Sequence, residues 1–235
     1  MVLTVPDARP AAAADERVRV AVCDDSAVIR GLLVRLLSAD PTIAVVGTAA
    51  NGRDALALQA RERPHVVVLD IEMPVMDGLA ALPALLKADP ALQVVMASTL
   101  TTRGADVTMK ALRLGAADYV PKPTAVGGIA SGEGFRRELV EKVKGLGRAA
   151  LRRRGAARPL ARRAPDAAPP ARAAVARGLA PELVAIGTST GGPQALFRVM
   201  KDLGPKFHLP VLITQHMPAA FIPILAEHIT RLGAL

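Results

Sequence analysis

The sequence predicts an α/β protein: an N-terminal (βα)5 doubly wound domain, a linker, and the start of a second doubly wound parallel α/β domain. Three observations predict this class. Strand-like and helix-like patterns alternate five times over residues 17–146, Ala, Arg and Pro dominate residues 147–180, and the alternation resumes over residues 181–235. Alternation of this kind is typical of a parallel sheet covered by helices.

The first domain begins with the β-branched run RVRVAVC, which predicts a strand over 17–23. The next apolar residues recur at helical spacing, with Asp25 or Ser26 placed to cap that helix. The run VVVL at 66–69 predicts a strand buried on both faces. The further predicted strands are 43–48, 94–97 and 118–120, and the further helices are 52–63, 79–88, 108–114 and one that carries Phe135, Leu139 and Val143.

The positive charge is local. The chain has 30 Lys and Arg against 21 Asp and Glu, a net charge of +9, and residues 136–177 alone hold thirteen basic and three acidic residues. Four prolines within 147–180 prevent a long helix there, so we interpret this segment as a solvated linker. A patch for an acidic partner is the alternative interpretation. Residues 1–16 are expected to form a disordered extension.

Composition excludes several classes of protein. Aromatic residues make up 2% of the chain and Trp is absent, so a nucleic-acid surface of stacked rings is not expected. Cys23 is the single cysteine, which excludes an internal disulfide and favours a reducing compartment. No window approaches 18 uncharged apolar residues and the N-terminus does not resemble a signal peptide. We therefore expect a cytoplasmic, soluble protein with no membrane insertion.

The second domain is predicted to contain strands at 183–186 and 211–215 and helices at 193–202 and 221–231. Only 55 residues follow residue 180. A two-stranded parallel piece leaves hydrophobic strand faces uncovered, so we expect this domain to be incomplete.

Polar residues collect at the predicted strand ends of the first domain. Asp24 and Asp25 follow the first strand, Asp70 the third, Ser98 the fourth and Lys122 the fifth. Ligands of open α/β sheets bind at this edge. Three close carboxylates favour a divalent cation such as Mg²⁺, beside which Asp70 could accept a phosphoryl group while Ser98 and Lys122 bind its oxygens. Singly, these residues are equally explained as helix caps, turn residues or solvated ends.

The motifs VAVCDDS, VVVLDIEMPVMDG, VVMASTLT and DYVPKP resemble those of two-component response-regulator receiver domains over residues 17–146. The resemblance implies that Asp70 is the phosphoacceptor, that Asp24 and Asp25 hold Mg²⁺ with it, and that Tyr119 is an aromatic switch. It also implies that Ser98 and Lys122 sense the phosphoryl group and that the Lys122–Pro123 peptide is cis.

A second pattern lies in the C-terminal domain. Gly187, Ser189 and Gly191 fit G-x-S-x-G between a strand and a helix, a turn that exposes the serine and places helix N-terminal donors behind it for an oxyanion. His216 ends the next strand, from which its imidazole could accept the serine proton. Cradling of a phosphate by the glycine turn is the alternative, although the spacing matches neither common nucleotide motif.

A receiver followed by a linker, AIGTSTGGPQAL and VLITQHMPAAFIPILAEHI is similar to the CheB family of chemotaxis protein-glutamate methylesterases. The family hydrolyses glutamyl methyl esters on the cytoplasmic helices of methyl-accepting chemoreceptors, and many members deamidate glutamines. The resemblance implies Ser189 as nucleophile and His216 as base, with Thr190 nearby. It also implies a receiver that covers the active site until a chemotaxis histidine kinase phosphorylates Asp70.

The family's third catalytic residue, an aspartate late in the domain, has no counterpart before Leu235. Loss of that partner typically lowers turnover about 10⁴-fold, so we expect little esterase activity from this chain. A phosphate-accepting binding module with an inactive esterase portion is therefore the alternative function. A DNA-binding regulator is disfavoured because no helix-turn-helix pattern follows the receiver.

Overall fold

The computed structural model describes residues 17–98, 102–122, 128–156, 181–204 and 207–233. The residues at 1–16 and Pro123 lie outside this range, and so do the expected disordered extension and the expected cis peptide. The described residues form two α/β units, each built on a parallel sheet. No helix among them is both long enough and apolar enough to cross a lipid bilayer.

The first unit is a five-stranded parallel sheet in the order β2-β1-β3-β4-β5. Chain order and spatial order differ because each helix crosses over to a parallel neighbour, which is the doubly wound arrangement that the sequence predicts. Its elements are β1 Val18–Cys23, α1 Ala27–Ser38, β2 Ile43–Ala49, α2 Gly52–Glu62, β3 Val66–Asp70, α3 Gly78–Ala88, β4 Gln93–Ser98, α4 Thr102–Leu114, β5 Asp118–Pro121 and α5 Gly128–Ala156.

The sheet is covered on both faces because its strand residues alternate between two apolar layers. Val20 and Val68 belong to the layer under α1 and α5, whereas Ala21 and Leu69 belong to the layer under α2, α3 and α4. Every residue of β3 and of β4 is buried. The central strands are therefore fixed in position, and so are the polar residues at their ends.

Helix α5 ends at Ala156, ten residues beyond the expected end of the first domain at 146. Our linker boundary at 147 must be corrected, because the first prolines lie farther along the chain and Ala150 is fully buried. Arg154 anchors the last turn by donating to the carbonyls of Arg63 and Pro64 and by pairing with Asp89. Composition indicated linker here, whereas the packed face of the helix continues through it.

The second unit contains two parallel strands and two helices: β6 Val184–Thr188, α6 Gly192–Leu203, β7 Val211–Gln215, a short 3-10 helix Ala219–Phe221 and α7 Ile222–Gly233. In both strands half-buried and exposed residues alternate, and Leu212 is 61% exposed. Helices α6 and α7 pack on α4 of the first unit, so Phe197 and Leu225 join the same apolar cluster as Met109.

Candidate functional site

Three carboxylates meet where β1 and β3, which are neighbours in the sheet, come to their ends. One oxygen of each of Asp24, Asp25 and Asp70 lies within 4.8 Å of the others. Asp24 and Asp70 are buried and Asp25 is exposed, so the cluster opens to solvent on one side. All the ligand atoms are oxygens and water has access, which is the donor set that Mg²⁺ prefers.

Asp70 has one engaged oxygen and one free oxygen. Its Oδ1 accepts from the Ile71 backbone N–H at 2.7 Å and pairs with Lys122 Nζ at 2.8 Å. Its Oδ2 is buried and accepts no hydrogen bond within the described residues. Burial, and to a lesser degree the charge of Asp24, raises the pKa of Asp70, although Lys122 and the Ile71 N–H act in the opposite direction. The free oxygen is thus available to a cation or an electrophile.

The loop after Asp70 is held close by Gly78, the first residue of α3. Its N–H donates to the Ile71 carbonyl at 2.9 Å. A Cβ at this position would overlap the Asp70 carbonyl oxygen, so only glycine fits without a shift of the backbone. The side chain of Asp77 caps α3 by accepting from the Ala80 N–H at 2.7 Å.

Lys122 joins the two buried carboxylates. Its Nζ lies 3.0 Å from Asp24 Oδ2 and 2.8 Å from Asp70 Oδ1. Burial acts to lower the pKa of Lys122, but the hydrogen bonds to Asp70 and Asp24 outweigh that effect and raise it. The ammonium therefore already occupies the position from which it could pair with a phosphoryl group on Asp70.

Ser98 and Tyr119 are both buried. The Ser98 hydroxyl donates to the carbonyl of Gly104 at 3.2 Å, which ties the end of β4 to α4. The Tyr119 ring stacks on Phe221 with 4.8 Å between centroids and 7° between planes. Burial raises the pKa of Tyr119 above its usual range, so its hydroxyl stays protonated. The proposed switch residue thus packs directly against the second unit.

The second site lies between β6 and α6. Ser189 and His216 are both exposed, and Ser189 Oγ lies 3.5 Å from His216 Nδ1. The His216 backbone N–H donates to the Thr188 carbonyl at 3.0 Å, which keeps the two strand ends together. No carboxylate is hydrogen-bonded to the His216 ring among the described residues. The arrangement is that of a serine with an adjacent base and no orienting acid.

The glycines of the turn have different roles. Gly191 adopts φ 73°, the left-handed region that favours glycine, and a Cβ on Gly192 would overlap the side chain of Gln215. A Cβ on Gly187 would meet nothing within 4 Å. The first glycine of G-x-S-x-G is therefore not required by space in this structure, and the constraint lies after the serine.

Gln215, which the sequence analysis did not single out, connects the two strand ends. Its side-chain N–H groups donate to the carbonyls of Ser189 at 3.0 Å and His216 at 3.2 Å. Its Oε1 accepts from the Thr188 hydroxyl at 2.6 Å. A glutamine at the end of an apolar strand, directly before the histidine, was the available signal.

Asp118 and Lys142 were also missed. Asp118 is the first residue of β5 and is 2% exposed. Its Oδ2 accepts from the Gly191 N–H at 2.8 Å, and its Oδ1 lies 3.3 Å from Lys142 Nζ. Lys142 lies between Leu139 and Val143 on the buried side of α5. A lysine on an apolar helix face predicts a buried acidic partner, and that signal was present in the sequence.

Comparison with protein families gives two matches. Residues 20–131 match the response regulator receiver domain, and residues 184–235 match the CheB methylesterase domain. The chain thus combines a receiver, which carries the acidic cluster and Lys122, with part of a methylesterase domain, which carries Ser189 and His216.

Two curated relatives are similar to most of the chain. A protein-glutamate methylesterase/protein-glutamine glutaminase of Rhodospirillum centenum is 52% identical over 235 residues that cover 91% of this chain and 59% of the relative. The protein of that name from Azospirillum brasilense is also 52% identical and is covered to 59%. The chain spans about three fifths of the length of these relatives.

Among solved structures, the response regulator domain of Thermotoga maritima CheB matches with a TM-score of 0.51 and 36% identity. That match covers 56% of this chain and 97% of the domain. The chain belongs to the receiver-containing CheB methylesterase family.

Proposed function

We propose that this chain is a cytoplasmic chemotaxis response regulator in which phosphorylation of Asp70 controls a serine-type hydrolase. The hydrolase would remove methyl esters from glutamates of chemoreceptor helices and could also deamidate glutamines, as the names of the relatives suggest. The observation that carries the proposal is the state of Asp70, a buried carboxylate with Oδ1 held in place and Oδ2 free.

Asp70 Oδ2 would attack the phosphorus of a phosphohistidine on a chemotaxis histidine kinase. A P–O bond forms to Asp70 while the P–N bond to the histidine breaks, and the imidazole takes up a proton. Asp24, Asp25 and Asp70 would hold Mg²⁺, which neutralises charge on the phosphoryl oxygens. The donor set supports this, because three carboxylate oxygens lie within 4.8 Å of one another.

Lys122 would then exchange a carboxylate partner for a phosphoryl oxygen, and Ser98 would donate to another oxygen. Ser98 ends β4, which is the neighbour of β3, and Lys122 follows β5, one strand farther along the sheet. Tyr119 would transmit the change, since its ring already contacts Phe221 of the second unit. In the unphosphorylated chain the receiver would limit access to the hydrolase.

Ser189 would be the nucleophile and His216 the base. His216 Nδ1 would take the proton from Ser189 Oγ while that oxygen attacks the ester carbonyl, and the imidazolium would return the proton to the departing methoxide, so that methanol leaves and an acyl-serine remains. Water that gives a proton to His216 would then attack the acyl-serine, which yields the glutamate carboxylate and restores the Ser189 hydroxyl. The 3.5 Å separation is long for a hydrogen bond, and the described residues supply no carboxylate to orient the imidazole. We therefore expect this 235-residue chain to hydrolyse esters poorly.

The receiver part of the proposal is tested with Mg²⁺ and acetyl phosphate, followed by intact-mass measurement. The expected result is the gain of one phosphoryl group, lost in Asp70→Asn and retained in Asp77→Asn. Asp77 is the matched control because it is an exposed carboxylate seven residues away, and Asn also caps helices. Failure of the wild-type chain to gain mass would contradict the proposal.

The esterase part is tested by methanol release from methylated chemoreceptor membranes. Ser189→Ala should abolish whatever release the chain produces. If Ser189→Ala changes nothing while the receiver still accepts phosphate, the chain acts as a phosphate-accepting binding module. The absence of a described acid partner for His216 supports this second candidate.

A further inference from the structure

The carboxylate of Asp118 makes a hydrogen bond between the two units. Asp118 begins β5 of the receiver, and its Oδ2 accepts from the backbone N–H of Gly191 at 2.8 Å. Gly191 caps the N-terminus of α6 and lies two residues after Ser189. A buried acidic side chain of the regulatory unit is therefore bonded to the turn that carries the nucleophile.

The carboxylate is strongly held on the receiver side. Its Oδ1 accepts from the Tyr119 N–H at 2.8 Å and lies 3.3 Å from Lys142 Nζ. Lys142 is itself fixed, because its Nζ donates to the Tyr119 carbonyl at 2.6 Å and pairs with Glu138 at 2.9 Å. Asp118 thus keeps its place without Gly191, and the bond to Gly191 is an addition to a complete receiver network.

The contact is favourable on the second unit's side as well. Gly191 is the N-cap of a twelve-residue helix, no side chain of α6 or its cap satisfies the first N–H groups, and Pro193 removes one of them. A carboxylate at a helix N-terminus forms a charge-assisted hydrogen bond and interacts favourably with the helix dipole. Asp118 therefore supplies, from the other unit, a charged acceptor for one N–H group at the start of α6.

The same N–H groups are needed for the chemistry of Ser189. Attack on an ester places negative charge on the carbonyl oxygen, and the donors nearest the serine are the N–H of Thr190, directly after it, and the N–H groups at the start of α6, Gly191 among them. An N–H bonded to a buried carboxylate is not available to that oxygen. A fixed negative charge beside it also opposes the developing oxyanion.

Asp118 is linked to the phosphoacceptor through one short strand. It occupies the first position of β5, and Lys122, which binds Asp70, directly follows the last position. A displacement of Lys122 by a phosphoryl group therefore acts on the strand that carries Asp118 and Tyr119. No longer chain of contacts is required.

We propose that Asp118 is an inhibitory carboxylate, which withdraws the Gly191 N–H from an ester substrate and releases it when Asp70 is phosphorylated. This inference rests on the proposed function and goes beyond coverage of the site. The stacking of Tyr119 on Phe221 joins the two units without the Asp118 side chain, so we expect the units to stay packed when the hydrogen bond alone is removed. Inhibition thus has a component that a single side chain controls without separating the units.

The experiment is amide NMR on the whole chain, with the Gly191 N–H as the reporter. In the wild type this proton should resonate downfield and exchange slowly. Asp118→Asn and Asp118→Ala should shift it upfield and speed its exchange, by about tenfold for the alanine variant, given the strength of a charge-assisted bond. Phosphorylation of Asp70 with acetyl phosphate and Mg²⁺ should produce the same change in the wild type.

Asp106→Asn is the matched control, since Asp106 is an exposed carboxylate on α4 close to the same interface and has no bond to Gly191. It should leave the Gly191 resonance unchanged. The methyl resonances of Met109 and Leu225 report whether the units stay packed in each variant.

The outcomes are separable. If both Asp118 variants leave the Gly191 proton unchanged, or if mass measurement shows phosphorylated Asp70 while that proton keeps its wild-type shift and exchange, the inference is wrong and the proposed phosphorylation stands. If no phosphoryl group is gained, the proposed function fails, and the Asp118 variants still report whether the bond exists. If the variants free the Gly191 N–H but also change the methyl resonances of Met109 and Leu225, the packing of the two units has been lost. In that case Asp118 holds the units together and is not a selective inhibitory group.

Discussion

The receiver and the second unit use the same construction principle but differ in how completely their strands are covered. Both place polar side chains at the carboxyl ends of parallel strands. In the receiver every residue of β3 and β4 is buried, whereas in β6 and β7 every second residue is exposed. The five-stranded sheet carries helices on both faces, while one face of β6 and β7 has Ile186 and Ile213 against the cluster and the other leaves Leu212 exposed.

The difference in cover gives the two sites different chemistry. Asp70 is 2% exposed, and its burial raises its pKa and strengthens its pairing with Lys122. Ser189 and His216 are exposed and 3.5 Å apart, so solvent competes for both side chains. Strand-end geometry alone therefore brings residues together, whereas closed layers above and below the sheet make the contacts short.

The largest expected effect distinguishes Gly78, which begins α3 and packs on the Asp70 backbone, from Gly187, which lies in β6 just before Ser189. Gly78→Ala should lower the free energy of unfolding by about 4 kcal/mol, because the new Cβ overlaps the Asp70 carbonyl oxygen and backbone must move. Phosphorylation of Asp70 should fall with it. Gly187→Ala should change stability by less than about 0.5 kcal/mol, since nothing lies within 4 Å of its Cβ.

Urea unfolding of the two variants and the wild type measures this contrast. Gly134→Ala, at an open and exposed position in α5, serves as a control for the substitution itself and should be neutral or slightly stabilising. Equal losses at Gly78 and Gly187 would show that the backbone is equally constrained at the two positions.

A second contrast is between a buried leucine in a helix that covers the receiver sheet and an exposed leucine in β7. Leu85→Ala in α3 should cost about 3 kcal/mol, because its side chain is fully buried and leaves a cavity in the receiver layer. Leu212→Ala in β7 should cost less than about 0.5 kcal/mol, because 61% of Leu212 is already in water. Thermal and urea unfolding of both variants report these values. A cost above 2 kcal/mol for Leu212→Ala would mean that something covers β7 in solution.

Much of the receiver was predictable because its signals are local. The β-branched runs and helical spacings predict β1 to β5 and α1 to α3, and Ser26 caps α1, as one of the two expected caps. Helix α4 is also predicted, but it begins at Thr102, six residues before the predicted start at 108. The strand order of an open sheet then brings Asp24, Asp70 and Lys122 together. Pattern and topology were sufficient for that part of the site.

The contacts between the units were not predictable because they join residues far apart in the chain with no shared pattern. Asp118 and Gly191 are 73 residues apart in the chain. The rings of Tyr119 and Phe221, which stack on each other, likewise come from different units. The extent of α5 was missed for a related reason. Composition changes at residue 147, but the buried side of the helix continues to Ala150, and Arg154 then binds Asp89 and the carbonyls of Arg63 and Pro64.

A smaller effect is expected from the charge that the receiver encloses. Asp70→Asn should raise the free energy of unfolding at neutral pH by about 1 kcal/mol, because burial and Asp24 make the Asp70 carboxylate costly. The native pKa of Asp70 lies above its unfolded value of about 3.9, so the wild type loses stability as pH rises from the unfolded to the native pKa. The gain from Asn should therefore be absent at low pH and appear across that window.

Urea unfolding at several pH values, with and without Mg²⁺, measures the gain. Mg²⁺ should stabilise the wild type more than Asp70→Asn, since the variant loses one of the three carboxylates. Asp77→Asn, at an exposed carboxylate that caps α3, should show neither the pH-dependent gain nor the loss of Mg²⁺ response. A pH-independent gain for Asp70→Asn would contradict the electrostatic explanation.

The smallest effect on stability is expected at Gln215. Its hydrogen bonds, and not burial under helices, hold the site of the second unit together. Gln215→Met keeps the length of the side chain and removes its bonds, and Gln215→Glu places a carboxylate oxygen against the carbonyls of Ser189 and His216. Each should change the free energy of unfolding by less than about 1 kcal/mol, because Gln215 is only half-buried.

The readout is therefore the ring of His216, observed by its nitrogen and carbon-bound proton resonances. The glutamate variant should move them farther from the wild-type values than the methionine variant, because repulsion separates the strand ends that the glutamine joins. Wild-type resonances in Gln215→Glu would mean that the backbone bond from His216 to the Thr188 carbonyl positions the histidine alone. In that case β6 and β7 hold their site by strand pairing, as β1 and β3 do, and the two regions differ in cover only.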